Sequence, residues 1–299
     1  MPAKRYPDDA VHVAVPEVST LRFHDTGSYK SVYFATMTSG SEEVLKVVCL
    51  PQDQKTDEAR AFRQQELGRV QREISILAKC TSPFVVRLGT VAPGIRQIAG
   101  ESCFVYSEEK LLGSSLKAVI NTMAANPSEP EIKILLRCLV QGIRALWIET
   151  RSVHRDIKPA NIFSTGLPDR LYVLLDLGIA YNVTEPGLTV RSDDIPHTPL
   201  YLAPEMVDAN FRASLSYRAD LYAAGVSVFE FATRGVHPLA KSGETLRRTY
   251  QRILTQLPTP LAKVRPDLST PLCALVDQLL KKNPALRPGN FSLIIEQLA

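Results

Sequence analysis

No apolar run in this 299-residue chain approaches the roughly 18 residues that a membrane-spanning helix needs, so no membrane partner is expected. Cysteine is scarce: Cys49, Cys80, Cys103, Cys138 and Cys273 are an odd, scattered set without a C-x-x-C pair. That pattern argues against a disulfide framework or a zinc site and predicts reduced thiols in a cytoplasmic protein. Charge of one sign is also lacking. Thirty-five basic residues face 31 acidic ones, and the net charge of +4 is too small to argue for a nucleic-acid partner. Met1-Pro2-Ala3-Lys4-Arg5 runs into Pro7-Asp8-Asp9 with no apolar core, which excludes a secretion signal there. Internal repeats and low-complexity linkers are missing as well. What remains is an ordinary soluble globular balance, 45% hydrophobic and 22% charged, long enough for one large domain or two lobes.

The order of local patterns is uneven along the chain. Val18–Phe23, Ser31–Met37 and Glu43–Leu50 are β-rich and separated by Thr26-Gly27-Ser28 and Ser39-Gly40 turn signals. A polar stretch from Gln52 to Arg60 leads into a helix ending near Lys79, and Phe84–Val91 and Ser102–Tyr106 read as two more strands. From Ser114 onward helical periodicity dominates, over 114–123, 129–150, 216–233, 243–256, 271–282 and 290–298, with short strands at 161–164 and 171–175. A strand-rich front and a helix-rich back predict a two-lobed α+β chain. The expected boundaries are an N-terminal arm over 1–16, a front lobe over 17–107, and a hinge with the back lobe over 108–299.

One string stands out: His154-Arg155-Asp156-Ile157-Lys158-Pro159-Ala160-Asn161. It resembles the H-R-D-x-x-x-x-N catalytic loop of the eukaryotic-like (Hanks-type) serine/threonine protein kinases, and the likeness extends over residues 17–299. The resemblance implies a two-lobed kinase fold, its N-lobe an antiparallel sheet with one main helix and its C-lobe mostly helical. It implies transfer of the ATP γ-phosphate to Ser or Thr hydroxyls of protein substrates, with autophosphorylation. Asp156 would orient the hydroxyl nucleophile, Lys158 would reach the phosphoryl oxygens, and Asn161 would give a carbonyl oxygen to Mg2+ (Mn2+ being the alternative ion). Asp176-Leu177-Gly178 resembles D-F-G with Leu for Phe, making Asp176 the second metal ligand. Ala203-Pro204-Glu205 resembles the end of the activation segment. Before it, Thr198 would bond the catalytic Asp and Lys. Glu205 would pair with Arg287, and Asp220 would fix the catalytic-loop backbone. Short loops hint at a stand-alone bacterial enzyme.

In the front half, Val44-Leu45-Lys46 resembles the end of V-A-I-K. Lys46 would hold the α- and β-phosphates and pair with a helix glutamate, Glu73 in preference to Glu66, because Glu73 precedes the P-F-x-V-x-L-like Pro83–Leu88 by ten residues. The long spacing from Lys46 to Glu73 implies an insertion around 52–61. Val32 and Val44 would lie above the adenine and Phe163 below it. Glycine is short where it matters most: Asp25, Gly27 and Lys30 fall at the three glycine positions of the phosphate loop, with Asp25 repelling phosphate and Lys30 offsetting it. Arg155 would receive an activation-loop anion, from Asp193 and Asp194 or from phosphorylated Thr189 or Ser192. Two other readings stay open: a pseudokinase scaffold with weak ATP binding, and a small-molecule phosphotransferase.

Overall fold

The structure is a computed structural model that describes residues 3–27, 30–52, 55–183, 199–207, 215–239 and 243–299. The chain divides into two compact units, one of Met1–Ala78 with Val86–Leu111, the other of Lys79–Val85 with Leu112–Ala299.

In the first unit, helix α1 (Asp8–Ala14) precedes strands β1 (Val18–Thr26), β2 (Ser31–Met37) and β3 (Glu42–Cys49). Helix α2 (Asp57–Lys79) and the hairpin β4 (Gly94–Ile98)–β5 (Glu101–Glu109) follow. The five strands form an antiparallel sheet in the order β1-β2-β3-β5-β4. Successive side chains of a strand point to opposite faces, and here both faces are covered. Tyr33, Leu45, Val47, Cys103 and Val105 pack on one side with Tyr6, Val11 and Val15. Val48, Phe104 and Tyr106 pack on the other with Val70, Leu67 and Ile74 of α2. Residues 1–16, expected as a separate arm beside a lobe with one main helix, therefore contribute a second helix and part of a core. Each fully buried valine there supplies about 1.5–3 kcal/mol of transfer free energy.

Three expectations in this unit need correction. The stretch read as an insertion around 52–61 is helix from Asp57 on, so part of the added length extends α2 rather than forming a loop. The expected strand over 84–91 makes only isolated bridges, Val85 to Leu174 and Leu88 to Glu108. Part of it is instead shaped by Gly89, where a Cβ would sit 2.3 Å from a Glu43 oxygen. That buried carboxylate accepts from the N–H and hydroxyl of Thr90 and from Ser107 Oγ, and only glycine lets the chain pass so close. The strand that does form, β4, was missed because it is an edge strand with one buried residue, Ile98. Ala99 and Gly100, both at positive φ, close its hairpin without an Asn-Gly or Asp-Gly signal.

The second unit opens with β6 (Ser114–Ser115) and α3 (Leu116–Thr122), then the long α4 (Glu129–Thr150). The start of α4 is set by a Ser128/Glu131 capping box, and its end by Arg151 in the left-handed region. Short strands β7 (Ser152–Val153), β8 (Ile162–Ser164), β9 (Tyr172–Leu174) and β10 (Tyr181–Asn182) follow, pairing β7 with β10 and β6-β8-β9 in a row. Helices α5 (Pro204–Val207), α6 (Tyr217–Ala232), α7 (Leu246–Thr255), α8 (Leu261–Val264), α9 (Thr270–Leu279) and α10 (Phe291–Gln297) complete it. Helix α6 is buried all round from Ala219 to Ala232, so it is the axis on which α4 and α9 pack. Residues 79–85 join this unit because Leu174 N–H donates to the Phe84 carbonyl (2.9 Å) and Arg170 Nε to that of Pro83 (2.5 Å).

Near α6, Glu205 and Arg287 form a buried bidentate pair at 2.5 and 2.8 Å. The remaining Arg287 N–H groups donate to the carbonyls of Lys281, Lys282 and Arg218, so all five donors are placed. Removing one member of such a pair strands the other charge in the core. Arg287→Leu is therefore expected to destabilise the chain by about 3–5 kcal/mol in urea titrations. The Arg287→Leu/Glu205→Leu double variant should lose less than the single one.

Candidate active site

The string from His154 to Asn161 lies between β7 and β8 and is held from behind by one carboxylate. Asp220, in the first turn of α6, accepts the backbone N–H of His154 at Oδ2 (2.7 Å) and that of Arg155 at Oδ1 (2.9 Å). Burial pushes its carboxyl above the usual range, and His154 together with the two backbone donors works in the opposite direction. The two N–H groups can converge on one side chain because Arg155 sits at φ 70°, a strained left-handed conformation for a non-glycine residue. His154 is buried; its Nδ1 accepts the Asp156 N–H at 3.3 Å, which leaves Nε2 as the donor to the Leu175 carbonyl at 3.0 Å.

This backbone brings three predicted residues together. Lys158 Nζ lies 2.8 and 3.0 Å from the two oxygens of Asp156. Asn161 Nδ2 lies 2.8 Å from Asp156 Oδ2 and 2.9 Å from the Asp156 carbonyl. The Asn161 amide nitrogen is thus spent on Asp156, and its carbonyl oxygen is directed away from it. Leu175 N–H donates to the Asn161 carbonyl at 2.9 Å, which docks the next motif against the loop. Asp176 follows at φ 60° and accepts the Gly178 N–H at 3.3 Å. Phe163, half-buried in β8, is paired with Ser115 and Val173.

A second constellation belongs to the first unit. Val32 faces Lys46 across β2 and β3, and Lys46 faces Tyr106 across β3 and β5. Glu73 of α2 is buried, whereas Glu66 pairs with Arg69 at 3.5 Å. The pairing itself differs from expectation. Lys46 Nζ is 4.0 Å from Glu73 and only 2.5 Å from Glu108, while Lys30 Nζ donates to both Glu73 oxygens at 2.6 and 2.8 Å. Lys30 was expected to offset Asp25 at the phosphate loop; it is buried against the helix instead. Asp25 is exposed and accepts the Thr26 N–H, and Gly27 N–H closes the β1–β2 turn on the Lys30 carbonyl at 2.8 Å. Burial raises the Glu108 carboxyl above its usual range even with Lys46 beside it. Glu108 was not anticipated. Strand alternation could have found both, since Lys30 is two residues before Val32 and Glu108 two after Tyr106.

The activation-segment candidates Thr189, Ser192, Asp193, Asp194 and Thr198 lie outside the described residues. Arg155 Nη1 donates to the Ile179 carbonyl at 3.4 Å. Glu230 is buried in α6, and its Oε2 accepts the Tyr201 hydroxyl at 2.8 Å. His237 anchors the same segment. Its Nδ1 accepts the Leu239 N–H (3.0 Å), leaving Nε2 to donate to the Leu200 carbonyl (2.9 Å).

An aspartate held by a lysine and an asparagine, with a second aspartate docked behind the loop, defines a phosphotransfer-type site of the protein kinase class. The comparisons agree. A family model described as the protein kinase domain matches residues 25–298, and the chain belongs to that family. It is 29% identical over 227 residues to serine/threonine-protein kinase PkaA of Streptomyces coelicolor, covering 75% of this chain and 38% of that one. Serine/threonine-protein kinase ULK3 of Xenopus laevis is 27% identical over 271 residues, covering 88% and 51%. Serine/threonine-protein kinase pakG of Dictyostelium discoideum is 26% identical over 269 residues, covering 90% and 20%. The chain thus spans from a fifth to about half of the length of these relatives.

The His237 geometry has a pH consequence. Burial above all, and then the Lys282 charge, lowers its pKa from 6.5 to about 4. Between those values the unfolded chain takes up a proton that the fold refuses, so stability should fall as pH drops from about 6.5 toward 4. At 1.36 kcal/mol per pKa unit the loss is as much as about 3 kcal/mol. Urea unfolding of His237→Gln and the parent across that range should show a flatter pH dependence for the variant.

Proposed function

We propose that the chain transfers the γ-phosphate of ATP to serine and threonine hydroxyls of protein substrates. The observation that carries this reading is the Asp156–Lys158–Asn161 constellation, locked by Asp220 and followed by Asp176. A hydroxyl nucleophile needs a carboxylate to orient it and accept its proton, a role we assign to Asp156, whose carboxylate is held by Lys158 and Asn161. Lys158 keeps an ammonium beside the same carboxylate, where charge on a transferring phosphoryl group can be balanced. Most of the catalysis is then positioning and electrostatics.

The residues fit Mg2+ with ATP. Mg2+ is commonly held by one or two carboxylates plus substrate phosphates and keeps several waters. The Asp176 carboxylate and the Asn161 carbonyl oxygen are donors of that type. When bound, the ion would neutralise charge developing on the phosphates. This set of residues argues against the pseudokinase scaffold, which has no chemical need of all of them. The reading extends to a cytoplasmic location, in keeping with five free cysteines, and to the absence of a nucleic-acid partner, in keeping with the small net charge. No helix among the described residues is long and apolar enough to cross a membrane.

Asp156→Asn preserves shape while removing the proton acceptor. It is expected to lower kcat by about 10^2–10^4-fold with little change in thermal unfolding, measured with labelled ATP and myelin basic protein. Activity within a few-fold of the parent would sink the mechanism. Substrate choice gives a second test. Ala160 precedes Asn161, where a glutamate could have met a basic substrate, and Glu230 already accepts the Tyr201 hydroxyl. A positional peptide library should therefore show no strong arginine requirement close to the acceptor residue.

A further inference from the structure

The sheet of the first unit sets two cysteines directly opposite each other. Cys49 ends β3, Cys103 lies near the start of β5, and the register makes them partners in the ladder. No other two cysteines are ladder partners among the described residues. The next pair along, Leu50 and Ser102, is the hydrogen-bonded one, with Leu50 N–H donating to the Ser102 carbonyl at 3.0 Å. Antiparallel pairs alternate, so Cys49 and Cys103 occupy a non-hydrogen-bonded position, where Cα atoms approach to about 4.5 Å and side chains are closest. A disulfide accepts Cα separations of about 4.4–6.8 Å, so a pair at such a position can be bridged without moving the backbone.

Both side chains belong to the core that Tyr6 helps to close. The Tyr6 hydroxyl donates to Glu101 Oε2 at 2.8 Å, and Cys49 Sγ lies 3.6 Å from the same oxygen. Cys49 is half-buried, whereas Cys103 is fully buried, and that burial pushes its thiol up to about 11. We propose that Cys49 and Cys103 are a redox-active thiol pair, converted to a disulfide by a low-molecular-weight disulfide. Cys49, the accessible member, attacks as its thiolate: its sulfur bonds to one sulfur of the small disulfide, whose S–S bond breaks, and the departing thiolate takes up a proton equivalent to the one Cys49 lost. Cys103 then attacks the Cys49 sulfur and expels the second small thiol, which carries away the Cys103 proton. Two small thiols leave and two protein thiols become one S–S bond, so the exchange balances with no further reactant. The second step is intramolecular between ladder partners, which offsets the small thiolate fraction of a buried cysteine. In a reducing compartment such a bond is transient and redox-sensing rather than structural, consistent with the sparse cysteine pattern of the chain.

The test equilibrates the native full chain with mixtures of reduced and oxidised glutathione, quenches with acid, alkylates in urea and maps the peptides by mass spectrometry. The expected result is a linked Cys49–Cys103 peptide pair, two hydrogen atoms lighter, as the main oxidised species. Cys80, Cys138 and Cys273 should stay alkylated, and dithiothreitol should restore both thiols. Alkylation of all five cysteines at every glutathione ratio overturns the proposal. So does a glutathione adduct that remains on Cys49, or linkage of a different pair. Cys103→Ser should stop at the Cys49 adduct, and Cys49→Ser should leave Cys103 unmodified. An adduct on Cys103 in the Cys49→Ser chain overturns the assignment of Cys49 as the attacking thiol. Should either variant fail to fold, the unaltered chain decides.

Discussion

The second unit turns on one buried carboxylate. Asp220 takes the backbone N–H groups of His154 and Arg155, and no regular secondary structure could satisfy both at that bend. With the two donors fixed, Arg155 is held in its left-handed conformation and His154 is directed at Leu175. Asp156, Lys158 and Asn161 follow on a backbone with little freedom left. The cost of desolvating Asp220, visible in its raised pKa, is tolerated because the alternative is two orphaned N–H groups in the core. Helix α6 can carry this aspartate because it is buried all round and anchored by its neighbours.

A similar logic recurs wherever this fold buries charge. Arg287 places all five donors, two of them on Glu205. Glu43 gathers Thr90 and Ser107 under a glycine that cannot be replaced without a clash. In each case the charged group holds together segments distant in sequence. The four-residue cluster of the first unit differs, because its members can exchange partners: Glu73 lies within 4.0 Å of both lysines.

Much of the site was legible because its chemistry fixes short spacings along one strand or loop. The run His154–Asn161, Asp176 twenty residues after Asp156, and Lys46 within an apolar strand are local patterns. The same holds for the long helix α4, whose apolar positions repeat over many turns, and for α6, which is apolar almost throughout. Edge strand β4, the irregular 84–91 segment and helix α1 were misread because their conformation depends on partners far away in the chain: Glu43, Leu174 and the outer sheet face.

The sequence by itself determined the family and the motif residues that carry the likeness to it, since each is specified by side-chain type at a fixed local offset. Tertiary structure alone decided who pairs with whom. Lys30, Lys46, Glu73 and Glu108 come from a turn, two strands and a helix, and any of the lysines could have met either carboxylate. The choice was made by packing. Strand alternation and the docking of α2 set separations of 2.5 to 4.0 Å, a range over which hydrogen bonding and Coulomb attraction between buried charges change steeply.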